Sequence, residues 1–121
     1  MYDVVAIGEL LVDFACRSTD DDGYPVLAAH PGGAPANFLA VLARYGLKTA
    51  LLAKVGNDAF GRLLRRTVER EGIDTAGVVV DDAAFTTLAF VTLDETGSGI
   101  SPLPASPART CSCAMTSLIC R

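Results

Sequence analysis

A glycine loop followed by a helical pattern is the stretch of this sequence whose residue types best suit ligand binding. It covers residues 30–37, HPGGAPAN. Two adjacent glycines let the backbone approach a ligand closely and take φ values closed to other residues. Pro35 suits the first turn of a helix, where Asn37 would both donate and accept hydrogen bonds. Free amides at such a helix start suit a polar small molecule, although a Gly-Gly pair is also a common strand-to-helix connection.

Asp13 is a second candidate, because it places a carboxylate among apolar residues. It lies in the run 9–16, between Val12 and Phe14. A carboxylate in such a setting needs water or a hydrogen-bonding partner. The pattern is therefore equally compatible with a surface position and with a functional role as a hydrogen-bond acceptor.

The composition limits the classes of function. The chain has 121 residues, half of them hydrophobic, and a net charge of −4, which disfavours nucleic acid as the main partner. No signal peptide and no apolar run of roughly 20 residues is evident, so we expect no membrane association and a cytoplasmic location. Cys16 stands apart from the other three cysteines, which argues against a disulfide framework. We expect no metal site, since structural zinc needs four ligands.

Strands and helices alternate along the first 80 residues. Apolar, β-branched runs at 2–8, 48–55 and 78–80 predict buried parallel strands. Helical patterns follow at 38–46 and 59–71, where Asp58 would cap the second helix. This order predicts an α/β fold around a parallel sheet. The remaining apolar runs, 11–16, 26–30 and 86–94, predict antiparallel strands placed elsewhere.

Both helices have a predicted inward face. In the first helix it comprises Phe38, Leu39, Val41, Leu42 and Tyr45, and in the second Phe60, Leu63, Leu64 and Val68. The opposite face of the second helix carries four arginines, and a solvated surface is its simplest interpretation.

Three motifs in order resemble the ribokinase-like (PfkB-type) carbohydrate kinases, and among them the bacterial fructokinases. They are AIGELLVD at 6–13, GGAPAN at 32–37 and KVGNDAFG at 54–61. The family's first signature also places one glycine nine residues after the asparagine and another ten residues further on. Gly46 and Gly56 meet those spacings.

The resemblance implies the N-terminal part of a ribokinase-like doubly wound α/β sheet with a small β-lid over the sugar site. The segments 9–16, 26–30 and 86–94 resemble the lid strands. Residues 1–97 would form a partial kinase domain, and residues 98–121 a disordered tail.

Five residues match sugar-binding positions of the family. Asp13 matches the aspartate that binds sugar hydroxyls, and Gly32, Gly33 and Asn37 match the sugar-contacting loop. Phe90 matches a lid position that touches the sugar. The implied partner is thus a small-molecule sugar.

Three positions depart from the residues that are typical of ribokinases or of the family signature. Ala34 and Leu11 replace a lysine and an asparagine that typify ribokinases, which favours a fructokinase-like or related hexose or ketose kinase. Leu39 stands where a small residue is usual. A nucleoside kinase of the same superfamily and a non-catalytic sugar-binding or interaction module stay open as alternatives.

The family reaction transfers the γ-phosphoryl group of ATP to a sugar hydroxyl with Mg²⁺. In the family, the catalytic base and the nucleotide site come from a Gly-Ala-Gly-Asp loop in the second half of the fold. That motif is absent from these 121 residues. We therefore predict no catalytic residue, no ATP site and no kinase activity for this chain alone; in the intact family member, the resemblance also implies a homodimer through the lid.

The character of the sequence changes after residue 97. Three of the six prolines and three of the four cysteines lie beyond it, and no acidic residue follows Glu95. Family members continue here with roughly Glu-Arg-Asp-Phe-Ser-Phe, and codons compatible with Gly97 to Thr110 encode that run when read two bases further on. The hypothesis is an out-of-frame tail over 98–121; the alternative is a genuine but divergent C-terminus. Either is expected to be disordered.

Overall fold

The structure is a computed structural model, and it describes residues 1–93 and 99–100. Its elements, in chain order, are β1 (Val4–Ile7), β2 (Leu11–Thr19), β3 (Pro25–Gly32), α1 (Ala34–Arg44), β4 (Thr49–Gly56), α2 (Ala59–Arg70), β5 (Ile73–Asp74), β6 (Val78–Asp81), β7 (Leu88–Leu93) and β8 (Gly99–Ile100). They form two separate sheets.

The first sheet is parallel and has β4 at its centre. Strand β1 pairs with one edge of β4, and β5 and β6 pair with successive parts of the other edge. Helices α1 and α2 make the connections between these strands, as parallel pairing requires. The predicted α/β fold around a parallel sheet is confirmed.

The hydrophobic core lies between this sheet and the two helices. Leu39 of α1 and Leu64 of α2 are fully buried, in one cluster with Leu51, Ala53 and Val55 of β4. Those three residues alternate along the strand, so they share one face, and both helices pack on it. Within residues 1–93 no helix covers the opposite face, where Val5, Ile7 and Val79 are about half exposed. Parallel sheets are normally covered on both faces.

The second sheet has the order β3-β2-β7-β8. Strands β2 and β3 are antiparallel, as predicted, and β8 is antiparallel to β7. Strand β7, however, pairs parallel with β2, with Phe14 opposite Phe90. The prediction that all of these strands are antiparallel is wrong for this pair, because the sequence pattern does not show which strand lies beside which.

The predicted inward face of α1 is correct at Leu39, which is fully buried, and wrong at three of its other residues. Phe38, Val41 and Tyr45 are 55%, 53% and 81% exposed, whereas Ala36 and Leu39 are buried. Ala40 and Ala43 pack against the core beside them. Small side chains let α1 lie close to the sheet, so its large apolar residues face outward. The prediction for α2 is correct at Leu64 and Val68, which are buried.

Strand β8 lies at the start of the stretch predicted as a disordered or out-of-frame tail. The remainder of 98–121, including Cys111, Cys113 and Cys120, lies outside the described residues. In the part of the chain that the structure describes, neither helix is long and apolar enough to cross a lipid bilayer.

Candidate functional site

Asp13 lies near the middle of the second sheet, in strand β2. Its register partners are His30 of β3 and Ala89 of β7. The side chain is partly buried, and the carboxylate lies directly against Gly32, where a Cβ atom would overlap Asp13 Oδ2. Among residues 1–93, no side chain or amide donates a hydrogen bond to this carboxylate. Its acceptor oxygens are therefore free of described donors.

Gly33 connects this sheet to helix α1. It has φ +117° and is the N-cap of the helix, and a Cβ atom there would overlap the carbonyl oxygen of Glu9. Only glycine tolerates both the positive φ and the close backbone approach. The carbonyl of Gly33 accepts the first helical hydrogen bond, from Asn37 N at 3.1 Å. The glycine loop thus fixes where α1 begins relative to the chain that leads into β2.

Asn37 lies in the first turns of α1, as predicted, with an exposed side chain. It shares with Gly32 the lining of a pocket of about 150 Å³ that runs between α1 and α2. Gly33 offers no side-chain cap to the helix, and Pro35 has no N–H. Gly32 links the two candidates, because it borders both the Asp13 carboxylate and the pocket that Asn37 lines.

Phe90 lies on the other face of the second sheet. Phe14 stacks on Phe90 with ring centroids 5.4 Å apart and meets Phe60 of α2 edge-on at 5.5 Å. Side chains alternate along a strand, so Phe14 and Phe90 face α2 while Asp13 faces the opposite side. The structure thus places the Asp13 carboxylate against Gly32, which also lines the Asn37 pocket, and places Phe90 on the opposite face of the sheet from Asp13. The strand neighbour of Asp13 on β7 is Ala89.

A second aspartate, Asp58, anchors the loop that leads into β7. It caps α2, as predicted, by accepting from Gly61 N at 2.8 Å. It also accepts from Thr86 N and Thr86 Oγ1, both at 2.8 Å, and Gly56 N donates to the same Thr86 hydroxyl at 3.1 Å. Thr86 was not among the predicted functional residues, because it follows Asp58 by 28 residues and only the fold places it at the start of α2.

The hydrogen bonds also set the acidity of Asp58. Burial acts to raise the pKa of this carboxyl, but hydrogen bonds from the Thr86 amide, the Gly61 amide, the Thr86 hydroxyl and the Phe60 amide outweigh it. Together they hold the pKa below its ordinary value of 3.8. Asp58 is therefore ionised and fully engaged inside the protein.

The described residues contain no cluster of metal-ligating side chains. Among residues 1–93 and 99–100, no three histidine, cysteine or carboxylate side chains group closely enough to hold a metal ion. The sequence also lacks a Gly-x4-Gly-Lys phosphate loop.

Known proteins with similar sequences and folds are sugar kinases. A family model described as pfkB family carbohydrate kinase matches residues 1–105. The fructokinase-1 of Oryza sativa subsp. japonica is 43% identical over 96 residues, which make up 78% of this chain and 30% of that protein.

Solved structures give the same result. A sugar kinase from Pyrococcus horikoshii in complex with ATP superposes with a TM-score of 0.71 at 39% identity, over 79% of this chain and 32% of that one. A fructokinase from Xylella fastidiosa with bound ATP gives 0.76 at 30% identity, over 87% and 33%. The chain spans about a third of the length of these relatives. It belongs to the pfkB family of carbohydrate kinases.

Proposed function

We propose that this chain is the sugar-binding part of a fructokinase-like carbohydrate kinase. Asp13, Gly32, Gly33 and Asn37 would hold the sugar, and Phe90 would act only as a packing residue behind Asp13. The sugar-binding part would comprise residues 1–97. Kinase activity, ATP and Mg²⁺ would belong to the complete protein.

One observation carries this proposal: Asp13 presents a carboxylate without a described donor, directly beside a glycine. An ionised carboxylate only accepts hydrogen bonds, and its two oxygens can take two neighbouring hydroxyls of one sugar. Such bonds to a charged group are stronger than neutral ones. Because Gly32 has no side chain, a hydroxyl can approach Asp13 Oδ2 where any Cβ atom would collide.

The amide of Asn37 adds polar groups on the neighbouring pocket wall. It both donates and accepts, so it can meet a hydroxyl in either role. Asp13 and Asn37 are carried by different elements, β2 and α1, and Gly33 fixes the start of α1 beside them. Small movements of that loop would therefore change sugar affinity through both residues.

Phosphoryl transfer needs a base for the attacking hydroxyl and a cradle for the phosphates. In the family both come from the Gly-Ala-Gly-Asp loop, and that motif is absent from these 121 residues. We therefore expect the 121-residue chain to bind sugar without converting ATP to ADP.

The test is calorimetric titration of the full chain with D-fructose, beside D-ribose and adenosine. We expect fructose to bind best and Asp13→Ala to weaken it about 100-fold, since two bonds to a charged group contribute about 1.5 kcal/mol each. Asp21→Ala, in the exposed turn between β2 and β3, is the matched control and should change nothing.

Other outcomes separate the alternatives. Preferred binding of adenosine would favour a nucleoside kinase. Fructose binding that survives Asp13→Ala would remove Asp13 from the site. ADP formation with fructose and ATP would refute the expectation that the chain alone is inactive.

A further inference from the structure

Helix α2 carries a row of arginines on its outer face. Arg62, Arg66 and Arg70 are exposed and spaced four residues apart, so they lie along one side of the helix; we name them the arginine stripe. Arg65, by contrast, pairs with Glu69 at 3.3 Å. Across residues 1–93, no carboxylate forms an ion pair with the stripe.

Only Arg70, in the last turn, suits the negative end of the helix dipole; Arg62 and Arg66 do not help the helix to form. Like charges four residues apart destabilise a helix by about 0.2–0.5 kcal/mol per pair, and the stripe contains two such pairs. A neutral or mixed face would stabilise α2 better. The arrangement is therefore easier to explain by an external anionic partner than by the stability of the fold.

The stripe borders a surface groove rather than a flat surface. The groove has a volume of about 390 Å³, and Ala59, Phe60 and Leu63 contribute its apolar lining. Leu63 is 44% exposed although it was predicted to face inward. Guanidinium groups beside an exposed apolar lining suit a ligand with both carboxylates and apolar side chains.

We propose that this groove binds an extended acidic peptide segment of a partner protein, with Asp or Glu at alternate positions. Successive arginines of the stripe stand about 6 Å apart, because four helical residues rise about 1.5 Å each. Alternate residues of an extended peptide stand about 6.6 Å apart on one face. Three carboxylates can therefore meet three guanidiniums in register, while an apolar residue at the end of the segment reaches Leu63.

Nucleic acid is the less favoured occupant. Its phosphates have a similar spacing, but the chain as a whole carries a net charge of −4, which repels a long polyanion. A short acidic segment meets only the local positive field of the stripe.

The test uses two fluorescein-labelled peptides of equal composition. The first is Leu-Glu-Ser-Glu-Ser-Glu-Leu, and the second, Leu-Glu-Glu-Glu-Ser-Ser-Leu, has its three carboxylates in a row. We expect the alternating peptide to bind the full chain about fivefold more tightly in an anisotropy titration at low salt, and to weaken as salt is raised. Arg66→Gln should weaken it by a further factor of about five.

Arg17→Gln is the matched control, since it removes the same charge from an exposed position in β2. It should leave the affinity within about twofold. Equal affinity for the two peptides, or an unchanged affinity in Arg66→Gln, would overturn the proposal. Tighter binding of a thymidine oligonucleotide than of the alternating peptide would overturn it in favour of nucleic acid. Circular dichroism of each variant shows whether α2 is intact.

Discussion

Asp13 and Asp58 are both partly buried aspartates of the same small structure, and their surroundings are opposite. Asp58 accepts hydrogen bonds from Gly61 N, Thr86 N and Thr86 Oγ1, each at 2.8 Å. Asp13 accepts none from any residue in 1–93, and its neighbour on the loop side is Gly32. A carboxylate saturated by the protein stabilises the fold, whereas one left with free oxygens beside a glycine is available to a ligand.

The two regions are also held in place by different means. Around Asp58, hydrogen bonds tie the start of α2 to the loop before β7, so this aspartate positions a strand of the second sheet. Around Asp13, the absence of a side chain does the positioning: Gly33 lies against the Glu9 carbonyl, and Gly32 lies against the Asp13 and Leu11 side chains. We therefore expect carboxylate substitutions to disturb the region around Asp58 most, and glycine substitutions to disturb the region around Asp13.

The largest expected effect on stability comes from Gly33→Ala. A φ of +117° is strained for alanine, and its Cβ atom would overlap the Glu9 carbonyl, so we expect a loss of about 3 kcal/mol of unfolding free energy. Urea denaturation followed by circular dichroism measures it. Gly23→Ala is the control, since Gly23 has a φ of +88° with open space around it, and it should cost about 1 kcal/mol. Equal losses in the two variants would show that backbone contact at Gly33 contributes nothing.

Asp58→Asn should have the next largest effect. Asparagine still caps a helix, but it loses the charge and one acceptor that Thr86 uses, so we expect a loss of about 2 kcal/mol near neutral pH. The same urea measurement applies. An undiminished stability would mean that Thr86 finds other partners and that this network is dispensable.

The loss in Asp58→Asn should depend on pH. The pKa of Asp58 is lowered from 3.8 in the folded protein, so the folded state binds this proton less readily than the unfolded state. Its stabilising contribution is therefore complete above about pH 5 and declines as the pH falls below 3.8 through the folded-state pKa. Asp74 and Asp81, whose pKa values are also lowered, are present in both proteins and cancel in the difference. A difference that stays constant down to pH 2 would contradict this account.

Local sequence signals predicted much of this structure. Gly32, Gly33 and Pro35 indicated the loop and the helix that it begins, and Asp58 indicated the next helix start, because both signals lie within a few consecutive residues. Alternating strands and helices indicated the parallel sheet for the same reason.

Features that depend on distant residues were not predictable. The parallel pairing of β7 with β2 joins segments more than 70 residues apart, and it decides that Phe90 lies behind Asp13 instead of beside it. The outward position of Phe38 and Tyr45 depends on how closely α1 approaches the sheet through its alanines. A helical pattern alone gives two plausible apolar faces for α1 and does not show which one packs.

The smallest expected change in stability, that of Asp13→Asn, is the sharpest test of the contrast between Asp13 and Asp58. Asp13→Asn removes the charge of a carboxylate that no residue in 1–93 engages, so we expect the free energy of unfolding to change by less than about 0.5 kcal/mol. Asp58→Asn, the same chemical change at a similar burial, supplies the contrast in the same urea experiment. A loss above about 1 kcal/mol in Asp13→Asn would mean that the folded chain already uses this carboxylate, and that its role is structural. A near-zero loss would instead show that the protein keeps this partly buried carboxylate without stability in return, as a binding site for hydroxyl groups requires.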